Sequence, residues 1–188
     1  LIVILVCAMM TSVSIVREKE VGTMEVLLVS PIRPSKIIFS KMIPYFVISC
    51  LVLIIILLLS YYLLHVPMSG GVWGIFSLSL LYVLLSLSLG LMVSIVAKTQ
   101  VMALLISAMV MMVPMLLLSG MLFPIENSPI FFQYFSNIVP ARWYVEAIRK
   151  MMIQGSPFLA VWKEFTILLG MTVAFLGVSL IKFNDKLE

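Results

Sequence analysis

No Asp, Glu, Lys or Arg occurs between Lys41 and Lys98. A soluble domain of this size has no means of covering so long an apolar stretch. Such domains carry about 25% charged residues, whereas this chain is 11% charged and 63% hydrophobic. The composition therefore describes an integral membrane protein. Each helical crossing takes ~20 apolar residues, so 188 residues accommodate about five crossings in one membrane domain. The expected fold class is all-α.

One segment breaks the hydrocarbon pattern. From Arg17 to Lys41 the chain reads REKEVGTMEVLLVSPIRPSKIIFSK, with Arg17, Glu18, Lys19, Glu20 and Glu25 followed by Arg33, Lys36 and Lys41. In a membrane protein it has to lie in water. Residues 1–16, LIVILVCAMMTSVSIV, form a partial span with no basic region ahead of it. They read as the inner end of a longer helix in an N-terminally truncated chain. Val21, Met24, Leu27 and Leu28 then recur at helical spacing, with Glu18, Glu20 and Glu25 largely off that face. This predicts an amphipathic helix over 17–34, lying at the membrane interface rather than crossing it. Pro31 and Pro34 end it, and Ser35 is a candidate N-cap for the next helix.

Spans are expected over 43–64, 73–97, 101–122 and 161–183. Pro44 falls in the first turns of one, where a missing N–H costs least. Tyr61, Tyr62 and His65 mark its far interface. Ser77, Ser79, Ser86, Ser88, Gly90 and Ser94 in the next are small residues that permit close helix approach. Pro114 should kink the methionine-rich span that carries Met102, Met109, Met111, Met112, Met115 and Met121. Gly170, Ala174 and Gly177 form a small-residue face on the last. Residues 123–160 fit neither a span nor a soluble domain. Ser128-Pro129 and Pro140 predict the starts of two short helices, and Gly155 the end of the second. Such a pair at membrane depth has to be buried in protein or line a wet cavity.

Lys and Arg set the orientation. Arg17, Lys19, Arg33, Lys36, Lys41, Lys98, Lys182 and Lys186 share one side; Arg142, Arg149, Lys150 and Lys163 lie on the other. The bias puts the charged segment in the cytoplasm. Cys7 and Cys50 lie in apolar runs and read as buried small hydrophobes. The chain has no G-x-x-x-x-G-K-[ST] nucleotide cradle and no Cys/His metal cluster. The +4 net charge sits beside span ends and is not a nucleic-acid signal. The span interiors lack the ionisable residues that ion-coupled transporters use. An energy source on another subunit is the natural alternative. An ATP-independent channel or transporter and an intramembrane enzyme are the competing readings, the last without a nucleophile–base pair to support it.

The run Arg17-Glu18-Lys19-Glu20-x-Gly22-Thr23-Met24-Glu25-x-Leu27-Leu28-x-Ser30-Pro31 resembles the R-E-[KR]-E-x-G-T-x-E-x-L-L-x-[ST]-P signature of type-2 ABC-transporter permeases. So does Ser119-Gly120-x-x-Phe123-Pro124-Ile125-Glu126-x-x-Pro129, followed by Pro140, Tyr144, Glu146 and Arg149. The resemblance covers essentially the whole chain, without the first span and large external domain that drug- and lipid-exporter members place ahead of it. It implies a non-catalytic permease half of a bacterial inner-membrane exporter, multi-pass, of the multidrug-efflux kind. The helix at 17–34 would be the coupling helix on a cytoplasmic ATPase, with Arg17, Glu18, Glu20, Gly22, Thr23, Glu25, Leu27 and Leu28 at the contact. The pair within 123–160 would be external re-entrant helices forming a gate, with Phe123, Pro124, Pro140, Arg142, Tyr144, Glu146 and Arg149 in it. The chain itself would bind no cofactor; ATP and Mg would sit on the partner ATPase. A second permease half, identical or related, and the lipid bilayer complete the implied partners, with room for a periplasmic adaptor.

Overall fold

The computed structural model describes residues 2–22, 34–63, 65, 71–120 and 129–185. They form helices α1 (Ile2–Val21), α2 (Pro34–Tyr62), α3 (Val72–Val96), α4 (Gln100–Ser107), α5 (Val113–Leu118), α6 (Ile130–Ser136), α7 (Pro140–Met152) and α8 (Trp162–Asp185). The protein is all-α, with no strand among the described residues. Among the described residues, three helical stretches are long and apolar enough to cross a membrane: Ile38–Tyr62, Val72–Val96 and Phe158–Lys182. A π turn, Ala108–Met112, divides the stretch Gln100–Leu118.

α3 is the centre. Most of it is buried (72%, against 17% and 22% for the other two stretches), and it packs on α1, α2, α4, α7 and α8. Its first half, with Ile75, Leu78, Leu81, Tyr82 and Leu85, joins Met111, Met115, Ala141, Ala147, Met151 and Leu168. Its second half, with Val83, Leu87, Leu91 and Ile95, joins Cys7, Ile15, Ile38, Met42 and Leu53. The buried serines of α3 are satisfied within the helix. Ser79 donates to the Ile75 carbonyl at 2.8 Å, Ser86 to Val83, Ser88 to Leu85 and Ser94 to Leu91, each at 2.6 Å. A hydroxyl bonded in this way adds no polar group that needs water, so these serines pack rather than line a channel.

At Gly90 the backbones of α1 and α3 approach closely. A Cβ there would stand 2.6 Å from the Ala8 carbonyl oxygen and 3.0 Å from its Cα. Around Gly170 and Gly177 a Cβ would meet nothing within 4 Å. The small-residue face expected on the last span therefore packs on nothing among the described residues.

Several details differ from the sequence reading. The partial span expected to stop at residue 16 continues to Val21, so Arg17–Glu20 form its last turn instead of opening a separate helix. These residues are adequate helix formers, and the stop comes at Gly22, whose φ of 78° suits only glycine. The rest of the expected coupling helix, residues 23–33, lies outside the described residues. α2 begins at Pro34, one residue ahead of Ser35, the expected N-cap; proline is favoured at a helix start, and Pro44 lies inside the helix. Before Pro114 the expected kink takes the form of the π turn. Proline brings no N–H and crowds the preceding turn, and the ladder widens there. Finally, α6 starts at Ile130, one residue past Pro129, and a 3-10 turn, Phe158–Val161, leads into α8.

Candidate functional site

Helix connectivity places two clusters of polar contacts toward opposite ends of α3, labelled inner and outer after the orientation expected from the Lys and Arg distribution. The inner cluster is built on the last turn of α1. Glu18 pairs with Lys41 of α2, the two side chains 19% and 38% exposed. Lys19 Nζ donates to the Ser94 carbonyl in the last turn of α3, at 2.6 Å. Glu20 Oε2 accepts from the backbone N–H of Gln100 at 3.1 Å and from its side-chain amide at 2.9 Å. Gln100 is the first residue of α4, which Thr99 also caps by accepting from Met102 N–H at 3.2 Å. Cation at a helix C-terminus and anion at an N-terminus are both the favourable sense of the helix dipole, worth about 0.3–1 kcal/mol each. A half-exposed ion pair adds roughly 0–1 kcal/mol. These sums are small beside the core on α3, so the cluster sets the register of the helix ends more than it holds the fold. Arg17 is exposed and Gly22 makes the turn out of the helix. Thr23, Glu25, Leu27 and Leu28 lie outside the described residues.

The outer cluster is built on α7. Pro140, buried, occupies its start. Arg142 Nη1 donates to the Gln133 carbonyl at 3.2 Å, Ser136 Oγ at 2.5 Å and Asn137 Oδ1 at 2.8 Å. It thereby caps the C-terminus of α6 with a cation. Trp143 Nε1 donates to the Asn137 carbonyl at 2.9 Å, and the Arg142 guanidinium lies 5.5 Å from the centre of the Trp143 ring. Tyr144 stacks on Tyr82 of α3 and its hydroxyl lies 3.0 Å from Ser79 Oγ. Arg149 Nη2 donates to the Gly120 carbonyl at 3.3 Å, just past α5. Glu146 has Arg142, Arg149 and Lys150 within helical reach, and it pairs with Lys150, at 2.8 Å. Phe123 and Pro124 lie outside the described residues.

Lys150, Glu164 and Tyr82 of this cluster were absent from the sequence-based site. Lys150 Nζ also lies 2.6 Å from Glu164 Oε1, at the start of α8. Glu164 is 2% exposed, and its Oε2 has no partner among the described residues. The hydrogen bonds that Lys150 donates to Glu146 and then to Glu164 hold its ammonium above its ordinary 10.5, against the smaller effect of burial. The signal for Glu164 was present in the sequence as a carboxylate in the first turn of the last span. The other missed contact is Tyr82, which looks like any aromatic residue in an apolar run.

An apolar cavity of about 640 Å³ opens between the outer halves of α2 and α3, lined by Ile54, Leu57, Leu58, Tyr61, Tyr62, Val72 and Phe76. Among the described residues no group of three or more His, Cys, Asp and Glu could hold a metal ion.

The family described as "ABC-2 family transporter protein" matches residues 1–181. The chain is 29% identical over 188 residues to "Probable multidrug ABC transporter permease YbhS" of Escherichia coli, a match that takes in 100% of this chain and 50% of that protein. It is 30% identical over 186 residues to "Inner membrane transport permease YhhJ" of Escherichia coli, covering 95% of this chain and 48% of the relative. It is also 29% identical over 178 residues to "ABC transporter G family member 20" of Dictyostelium discoideum, covering 94% of this chain and 24% of that one. The chain thus spans about half the length or less of these relatives. No solved structure matches it.

Proposed function

The chain belongs to the ABC-2 transporter family, and from that premise we propose that it is the membrane core of a permease half whose transport is driven by a separate cytoplasmic ABC ATPase. ATP and Mg would bind on that partner, and a second permease half, identical or related, would complete the pathway. Symmetric dimers are the commonest oligomers, and one half of about five helices is small for an enclosed conduit. The bacterial cytoplasmic membrane is the proposed location, with the Lys- and Arg-rich end in the cytoplasm.

The observation that carries the reading is the inner cluster. The charged turn of α1 gathers the ends of α2, α3 and α4, and the chain runs from it directly into Thr23, Glu25, Leu27 and Leu28. A partner that grips that stretch has hold of the helix bundle at one point. The outer cluster supports a gate at the other end, because α7 is tied to α3, α6 and α8 there. For cargo we propose chemically varied apolar compounds. Support comes from the relatives named for multidrug transport and from Met102, Met109 and Met112, which are exposed on the α4–α5 run. Unbranched thioether side chains form adaptable binding surfaces.

The test is association. The full-length protein should retain an ABC ATPase encoded beside it when purified in lipid discs. Glu25→Lys should weaken that association by ~1–3 kcal/mol, and joint replacement of Leu27 and Leu28 by Asp should abolish it. Wild-type protein that captures no ATPase and transports without ATP would contradict the reading in favour of an ATP-independent channel.

A further inference from the structure

We infer that Glu18, Lys19 and Glu20 are positioning residues that lock the inner ends of α2, α3 and α4 to α1, so that these ends move as one body. The inference rests on the proposed coupling role for what moves them. It departs from that role's assignment of Glu18 and Glu20 to the ATPase surface.

The argument begins with spacing. Residues that face one partner from a helix recur at i, i+3 and i+4. Three consecutive residues instead fan over roughly 200° of the circumference at 3.6 residues per turn. That arrangement is poor for one docking surface and suited to three neighbours. The contacts follow it: Glu18 goes to Lys41 on α2, Lys19 to the Ser94 carbonyl on α3, and Glu20 to Gln100 on α4. Two of the three engage helix ends with the charge that the dipole favours. Glu18 is already largely covered, its side chain 19% exposed, which leaves little of it to offer another protein. The contacts also sit immediately ahead of Gly22, whose left-handed φ of 78° turns the chain out of the helix. A displacement of the stretch beyond Gly22 therefore reaches the locked turn first.

The Glu18–Lys41 pair permits a test by charge exchange. Spin labels at exposed Val21 and Phe39, on the inner ends of α1 and α2, report their separation in the full-length protein in lipid discs. In the wild type the distance distribution should be narrow, and it should stay the same when ATP is added to the assembly. In Glu18→Lys it should broaden and become ATP-dependent. The double variant Glu18→Lys/Lys41→Glu should restore the narrow, ATP-insensitive distribution. ATPase association, measured alongside, should stay within twofold of wild type in all three. A Glu18→Lys distribution identical to wild type would overturn the inference. So would a tenfold loss of association that the double variant does not recover, which would make Glu18 a docking residue. The distances measured without ATPase decide the lock even if no ATPase binds at all, so the failure of the coupling reading and the failure of the lock are separate results.

Discussion

Tyr144 of α7 lies flat on Tyr82 of α3, with ring centroids 3.9 Å apart and planes 3° from parallel. The two hydroxyls differ: that of Tyr144 is 3.0 Å from Ser79 Oγ, while the buried hydroxyl of Tyr82 has no partner among the described residues. An unbonded buried hydroxyl is a cost that phenylalanine removes. Tyr82→Phe should therefore leave the thermal midpoint unchanged or raise it. Tyr144→Phe should lower stability by about 0.5–1.5 kcal/mol, the loss of one hydrogen bond. Thermal unfolding of both variants in the same lipid mimetic checks this, and a larger loss in Tyr82→Phe than in Tyr144→Phe would contradict it.

Lys150 is the only ammonium within bonding distance of the buried Glu164 carboxylate among the described ion pairs. Lys150→Met would leave that carboxylate uncompensated, at a cost on the order of 3 kcal/mol. The double variant Lys150→Met/Glu164→Gln should recover most of the loss, because it removes the stranded charge as well. The pH dependence has a definite sign. Lys150 titrates above 10.5 in the folded protein, so its contribution is fully present below 10.5 and is lost as pH rises through the higher folded value. On the alkaline side, wild type should keep its stability advantage over Lys150→Met until the pH exceeds 10.5. An advantage that fades between pH 7 and 9 would be the wrong result.

Gly90→Ala drives a methyl group against the Ala8 backbone, which cannot rotate away as a side chain can. The expected cost is about 1–3 kcal/mol. Gly177→Ala, in open space, should be neutral or stabilising by up to ~1 kcal/mol through helix propensity. Melting temperatures of the two variants measured together decide this; equal effects would contradict the packing described.

These contrasts mark what the sequence could and could not disclose. The central span was legible because its apolar run is bounded by Gly71 and by the turn at Lys98–Thr99. The start of α7 was legible because proline suits a helix N-terminus, and its end because Gly155 follows, with φ 65°. Which glycine a neighbouring backbone approaches was not legible, since Gly90, Gly170 and Gly177 have the same local pattern and differ only in what lies opposite. The choice of Lys150 over Arg149 as partner of Glu146 was hidden for the same reason: both are within helical reach, and it is Glu164, on another helix, that draws Lys150 in. The continuation of α1 through Arg17–Glu20 depended on partners distant in sequence.

The proposed second half predicts proximity between copies. Single cysteines at exposed Leu51 on α2 or Leu104 on α4, in a background without Cys7 and Cys50, should cross-link to dimers. Exclusive monomers, by cross-linking and by mass in lipid discs, would count against assembly around a shared pathway.

The central claim is that ATP turnover on a partner at the inner end changes the outer end of this chain. The direct measurement needs no cargo: the distance between spin labels at exposed Ile153, just past α7, and exposed Tyr62, at the end of α2, in the full assembly in lipid discs. The account predicts that ATP shifts the distance distribution and that hydrolysis returns it. A distribution identical with and without ATP, in an assembly that demonstrably hydrolyses it, would contradict the account.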